Sequence, residues 1–92
     1  MTDFLMHDDQ DNVGVAVVDI KSGQVANGVT LDRTSRLQVS ALEDIPLGHK
    51  IALKDLKVGD TVLKYGVDIG RVVVEIRRGA HVHVHNLKTK RW

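Results

Sequence analysis

Cysteine is absent from this 92-residue chain, and it has only one proline and three aromatic side chains. Without cysteine the chain can form no disulfide, thiolate nucleophile or thiolate-held iron–sulfur cluster, which fits a reducing compartment. Proteins that bind single-stranded nucleic acid stack bases on aromatic side chains. Phe4, Tyr65 and Trp92 are too few to build such a surface, so this class of protein is disfavoured.

Charge imbalance and long apolar segments are also lacking. Thirteen Lys and Arg against twelve Asp and Glu give a net charge of +1, so no strong field marks a nucleic-acid or membrane partner. No apolar run approaches the roughly 18–20 residues that a membrane span needs, and the first residues are acidic rather than basic. The length predicts one domain, residues 1–92, and we expect a cytoplasmic protein.

The pattern of apolar residues predicts an all-β fold. Short Val- and Ile-rich segments alternate with polar, glycine-containing turns every 8–12 residues or so, as in small barrels and sandwiches. No internal repeat is expected, and at most one short helical turn is allowed, within residues 46–53. The predicted strands are residues 3–7, 12–20, 25–29, 37–42, 51–53, 61–65, 71–76 and 81–86.

Three histidines alternate with valines near the end of the chain. In a strand His81, His83 and His85 would share one face, with neighbours about 6.5–7 Å apart at Cα, while the valines face the core. Two imidazoles at that spacing can converge on one metal ion, and imidazoles also hold carboxylates or transfer protons. The alternative is that the histidines are only the solvated side of a half-buried strand.

Two further polar residues, His49 and Lys50, follow a Pro- and Gly-containing turn. Lys50 carries a mobile cation able to neutralise a carboxylate or a developing enolate-type charge, and His49 lies beside it. The same residues fit an ordinary solvated turn. The last residues, 88–92, form a basic tail that ends in Trp92, a residue type common at protein interfaces.

Two longer phrases resemble a known family. The first runs through residues 44–53 (DIPLGHKIAL) and 55–60 (DLKVGD) to residues 64–66 (KYG). The second comprises residues 69–70 (IG) and 79–86 (GAHVHVHN). Together they are similar to the SAF domain of the altronate and galactarate dehydratase family over about residues 3–89, with GHKIAL and HVHVHN the most specific segments.

The resemblance implies a SAF-type β-clip fold and a lyase function. Family members remove water or sulfite from hydroxy acids and are associated with a divalent metal, commonly iron. The fused members continue into a large catalytic domain, whereas this chain stops after Trp92. The resemblance therefore implies the small subunit of a two-subunit lyase, bound to a large catalytic subunit that holds most of the metal shell. Association of such complexes into homo-oligomers is a further expectation.

We expect the functional residues to come from the two specific segments. His83 and His85 are the candidate catalytic residues, and His81 with His83 the candidate metal ligands. The candidate contacts to a small hydroxy-acid substrate are His49, Lys50, Asn86 and Lys88. The alternative function is a non-catalytic binding or docking module of the SAF or antifreeze-like kind, with no direct part in chemistry.

Overall fold

All regular structure in the described part of the chain is β-strand. The structure, a computed structural model, describes residues 1–7, 11–64, 67–82, 87 and 88. These residues include no helix long and apolar enough to cross a membrane. The strands described are β1 (Phe4–Met6), β2 (Val13–Ala16), β3 (Val25–Thr30), β4 (Arg36–Ser40), β5 (Lys50–Ala52), β6 (Thr61–Lys64), β7 (Val67–Val72), β8 (His81–Val82) and β9 (Leu87–Lys88). The all-β prediction is confirmed.

The strands form a large sheet and a small one. Six strands pair in the order β4-β3-β1-β2-β5-β8, and β6, β7 and β9 form the second sheet. Only β1 and β3 run parallel among these pairs. Because side chains alternate along β5, Ile51 packs in one hydrophobic cluster and Ala52 in the other. This short strand therefore lies between the two parts of the core.

One turn recurs four times along the chain. An acidic residue, Ile or Leu, two variable residues and Gly occur at residues 19–23, 44–48, 55–59 and 75–79. In each, the residue after the glycine donates its N–H to the carbonyl three positions earlier, and the glycine has a φ between 86° and 94°. This is the geometry of a type II turn, which favours glycine at its third position. The chain therefore repeats a turn at unequal spacing, without the fixed period of a repeat protein.

The four turns associate as two symmetric pairs. Ile20 and Ile45 exchange backbone hydrogen bonds of 2.9 and 2.8 Å, and Leu56 and Ile76 exchange bonds of 2.7 and 2.9 Å. All four side chains are buried. Each pair thus adds two aliphatic side chains to the core while its turn tips stay at the surface.

Carboxylates fix the turn pairs from outside. Asp19 and Asp44 each accept the backbone N–H at the tip of the opposite turn, both at 2.9 Å. In the second pair Asp55 accepts the N–H of Arg78 at 2.8 Å. Asp side chains commonly satisfy turn donors in this way, so the acidic position of the repeated turn has a structural role.

The edges of the six-stranded sheet approach each other at the turn before β8. The N–H of Leu42, just after β4, donates to the carbonyl of Gly79 at 2.9 Å, and Arg78 Nη2 donates to the carbonyl of Gln38 at 2.9 Å. A side chain at Gly79 would overlap the carbonyl oxygen of Ser40. The sheet therefore closes through a backbone contact that has room only for glycine.

The predicted strand at residues 71–76 is interrupted. Strand β7 ends at Val72, and Ile76 forms only an isolated β-bridge with Leu56. Val73 and Val74, between them, are 37% and 53% exposed. The run of β-branched residues predicted one continuous strand, but the chain bends here, ahead of the repeated turn at residues 75–79. Residues 67–70, which lie outside the predicted strands, belong to β7.

Two further segments differ from expectation. Residues 46–49 form one of the type II turns and residues 50–52 form β5, so the helical turn allowed in this region is not formed. The strand predicted at residues 12–20 is shorter in the structure, where β2 comprises Val13–Ala16. Ile20 forms only an isolated β-bridge with Ile45. Both differences arise where a repeated turn replaces regular structure.

The turn between β3 and β4 is built around one carboxylate. Asp32 Oδ1 accepts the hydroxyl of Thr30 at 2.6 Å, and the N–H and hydroxyl of Thr34 at 3.0 and 2.8 Å. These bonds, that from Thr30 first, lower the pKa of Asp32 from 3.8 to about 2. Arg33 within the turn has a φ of 63°, unusual for a residue other than glycine.

We predict that alanine is far worse tolerated at Gly79 than at Gly59. Both glycines have positive φ, which costs an L-residue about 1–2 kcal/mol. A Cβ at Gly59 meets open space, whereas one at Gly79 overlaps Ser40 and forces the closure apart, which should add roughly 1–3 kcal/mol. Urea unfolding of Gly79→Ala, with Gly59→Ala as the matched control, measures the difference. Equal losses of stability in the two variants would contradict the closure described here.

We predict that the advantage of Asp32 over asparagine disappears in acid. The folded pKa of about 2 lies below the ordinary 3.8, so the ionised carboxylate stabilises the fold above pH 3.8. That contribution is lost as the pH falls through the folded pKa. The difference in unfolding free energy between the natural chain and Asp32→Asn should shrink between about pH 5 and pH 2. A difference independent of pH would show that the carboxylate is not held by these bonds.

Candidate functional site

The sheet brings His49 and His81 together, although 32 residues separate them in sequence. His49 ends the second type II turn and precedes β5, and His81 is the first residue of β8. Strands β5 and β8 pair antiparallel, with Ile51 opposite His81. His49 is two positions before Ile51, so the two imidazoles become diagonal neighbours on one face of the sheet.

The two imidazole rings are in direct contact. His49 Nδ1 and His81 Nε2 are 2.9 Å apart, and the ring centroids are 5.0 Å apart with a tilt of 40°. A hydrogen bond between two imidazoles needs a protonated nitrogen as donor and an unprotonated one as acceptor. The contact therefore couples the tautomer of one ring to that of the other. Both residues are half-buried, at the edge of the sheet.

A carboxylate secures the backbone beneath this pair. Glu43 Oε1 accepts the N–H of His81 at 3.1 Å, across a separation of 38 residues. Glu43 lies in the segment after β4 that closes the sheet against Gly79. The same closure that joins the sheet edges thus fixes the first residue of β8. No local sequence pattern marks Glu43 for this role, because the two residues in contact are so far apart in the chain.

Lys50 lies on a different face from the imidazole pair. In the strand register it is opposite Val82, which is fully buried in the second hydrophobic cluster. Alternation along β5 places Lys50 on the face of Ala52, away from Ile51 and His81. Lys50 and His49 are adjacent in sequence and were predicted to act together, but successive residues of a strand point to opposite faces of the sheet.

The other candidate residues are only partly described. His83, His85 and Asn86 lie outside the described residues, so their predicted catalytic, metal-binding and substrate-binding roles stay predictions. Lys88 lies in β9, where its backbone pairs with that of Arg71 on β7. The burial of Val82 agrees with the predicted alternation of valine and histidine in this strand.

The described side chains do not by themselves form a divalent-metal site. Within residues 1–7, 11–64, 67–82, 87 and 88, no three His, Cys, Asp or Glu side chains come together as metal ligands. In the pair itself, His49 Nδ1 and His81 Nε2 are directed at each other. The described part of the chain therefore offers no complete ligand set.

Known proteins resemble this chain over almost its whole length. Residues 2–90 match the family described as the altronate/galactarate dehydratase SAF domain. The chain is 54% identical over 91 residues to the (2R)-sulfolactate sulfo-lyase subunit alpha of Chromohalobacter salexigens, covering 98% of this chain and 97% of that protein. It is 58% identical over 64 residues to the subunit of the same name from Paracoccus pantotrophus, covering 70% of this chain and 94% of that protein.

A longer relative contains the same domain. The chain is 41% identical over 91 residues to the altronate dehydratase of Bacillus subtilis, a match that covers 97% of this chain but only 17% of that enzyme. The resemblance first suggested by the GHKIAL and HVHVHN segments is therefore confirmed. On this evidence the chain belongs to the SAF-domain family of the altronate and galactarate dehydratases.

Proposed function

We propose that this chain is the small subunit of a two-subunit lyase that acts on a sugar acid or a sulfonated hydroxy acid. One observation carries the proposal: the same domain makes up 97% of a protein named as a lyase subunit and 17% of a longer dehydratase. The same domain thus occurs as a separate subunit and as part of a larger lyase. We expect it to pack on the same kind of catalytic domain in both cases.

The imidazole pair is the part of the described surface best suited to this role. Removal of water or sulfite from a hydroxy acid requires proton transfer and stabilisation of negative charge, and histidine is the side chain that most often transfers protons in enzymes. His49 and His81 are half-buried at a sheet edge. A large subunit laid over this edge would exclude water from the reacting groups.

Further parts of the proposal rest on the family resemblance. His83 and His85 would also take part in catalysis, and Lys50, Asn86 and Lys88 would contact the substrate. A divalent metal, commonly iron in the family, would be held mainly by the large subunit, with His81 and His83 as its candidate ligands from this chain. The complex would work in the cytoplasm, where it would bind neither nucleic acid nor membrane, and could assemble into homo-oligomers of the two-subunit unit.

We predict that lyase activity requires both subunits and depends on the imidazole pair. The chain is co-purified with its large partner, and turnover is compared for the natural chain, His81→Ala and His49→Ala. Loss of an acid–base group should lower turnover by roughly 10²-fold or more while the complex stays assembled. His7→Ala is the matched control, because His7 is exposed and lies outside the pair. It should retain full activity.

Two results would overturn this proposal. If the large subunit is fully active alone, this chain is a docking module without a part in chemistry. If the large subunit needs this chain but both histidine variants support normal turnover, the chain is essential and the imidazole pair is not its functional site. His83→Ala then tests whether the neighbouring predicted residue has that role.

We also predict that Glu43 keeps His81 in place. Removing its carboxylate deletes a hydrogen bond to the His81 amide, a contact of roughly 1 kcal/mol, so amide exchange at His81 should quicken about fivefold in Glu43→Ala. Glu43→Gln retains an oxygen acceptor and should exchange almost as slowly as the natural chain. Asp44→Ala is the control next in sequence, since it should affect the amide of Ser22 instead. Unchanged exchange at His81 in Glu43→Ala would contradict this role.

A further inference from the structure

A small cavity lies at the opposite end of β5 from the imidazole pair. Its volume is about 220 Å³. It lies between the end of β1, the start of β4 and the residues that follow β5. The lining residues are Met6, Asp11, Ser35, Arg36, Leu37, Leu53 and Lys54.

The cavity combines an apolar lining with cations at its surface. Met6 and Leu53 are buried and Leu37 is half-buried, whereas Arg36 and Lys54 are exposed. Neither the Arg36 nor the Lys54 side chain forms an ion pair or hydrogen bond with another described residue. A mostly apolar depression with a few convergent polar groups is typical of a small-molecule site.

Among the described lining residues, the one carboxylate, that of Asp11, is already hydrogen-bonded. Asp11 is 1% exposed, and its Oδ2 accepts the N–H of His7 at 2.8 Å. The Asp11 carboxylate is therefore bonded to nearby backbone, whereas Arg36 and Lys54 are exposed. Among the described lining residues, two cations and one carboxylate that is already hydrogen-bonded favour an anionic ligand.

The cationic side of the cavity is held in place by the turn around Asp32. Ser35 donates its N–H to Thr30 Oγ1 at 3.1 Å, and its carbonyl accepts the N–H of Thr30 at 3.0 Å. The next residue, Arg36, begins β4 and pairs with Val29. A backbone fixed before binding reduces the entropy lost when a ligand is held.

This cavity is separate from the imidazole pair. His49 directly precedes β5 (Lys50–Ala52) and Lys54 lies two residues after it, so four residues separate them, about 16 Å along an extended chain at roughly 3.3 Å per residue. A small ligand cannot span that distance. A ligand of a few carbon atoms bound here would therefore not contact the proposed lyase site.

We propose that the cavity binds a short-chain aliphatic carboxylate. The planar guanidinium of Arg36 matches a carboxylate, which can accept two parallel hydrogen bonds from it. Lys54 adds a second positive charge, and the Ser35 hydroxyl adds a donor at the wall. The carbon chain packs on Met6 and Leu53. The volume is below the roughly 300–1,000 Å³ of drug-sized sites, which limits the ligand to a few carbon atoms.

The test is a titration of the full isotope-labelled chain with butyrate, followed by amide chemical shifts. We expect saturable shifts at Ser35, Leu37 and Leu53, with millimolar affinity. Butan-1-ol, which has the chain without the charge, should cause no saturable shift, and acetate should bind more weakly than butyrate. Arg36→Gln and Lys54→Gln should each weaken butyrate binding at least fivefold.

Arg33→Gln is the matched control, since it removes the same charge from the same turn but does not line the cavity. It should change the affinity less than twofold. The proposal is overturned if butyrate causes no saturable shift, if Arg33→Gln weakens binding as much as Arg36→Gln, or if the shifts centre on His49 and His81. Because Arg36 and Lys54 are exposed, the variants should fold, and their unperturbed spectra in the absence of butyrate verify this.

Discussion

The backbone contact between Gly79 and the end of β4 is the constraint on which the candidate site depends. It closes the six-stranded sheet, because Leu42 bonds to Gly79 and no side chain fits between Gly79 and Ser40. Closure brings Glu43 within reach of the His81 amide. The pairing of β5 with β8 then sets His81 against His49. The site is thus a consequence of how the sheet closes rather than of any local motif.

The repeated turn supplies the framework for that closure. Its four copies form two pairs, each joined by reciprocal backbone bonds between buried aliphatic residues. Carboxylates such as Asp19 and Asp55 satisfy the exposed N–H groups at the opposite tips. A domain of this size has a small core, so a regular set of satisfied turn donors matters for its stability. The last of the four turns also contains Gly79. It therefore takes part both in a turn pair and in the contact that closes the six-stranded sheet.

Sequence reasoning recovers the fold class because alternation is a local property. In β4 the buried Val39 lies between the exposed Gln38 and Ser40, as period-two alternation predicts. The repeat escaped detection because its copies begin at residues 19, 44, 55 and 75, and such unequal spacing shows no fixed period. The strand predicted at residues 71–76 failed for a related reason, since its valines satisfy β propensity while the turn decides the conformation.

The candidate site was predictable only in part. The sequence identifies His49 and His81 as separate polar residues, but their contact depends on sheet pairing between residues 32 positions apart. It also groups Lys50 with His49, although strand alternation puts Lys50 on the other face. Glu43 carries no motif of its own and is recognised only through the His81 amide. Long-range pairing, which single-sequence patterns do not encode, accounts for the contacts of His49 and Glu43 with His81.

The central claim is that closure of the sheet holds two imidazoles in a direct hydrogen bond. The most direct measurement is a nitrogen–nitrogen scalar coupling through that bond, recorded on the full chain labelled with ¹⁵N in its histidines. The account predicts a cross-peak that joins His49 Nδ1 to His81 Nε2. Two rings that show no such coupling and adopt independent tautomers would contradict it.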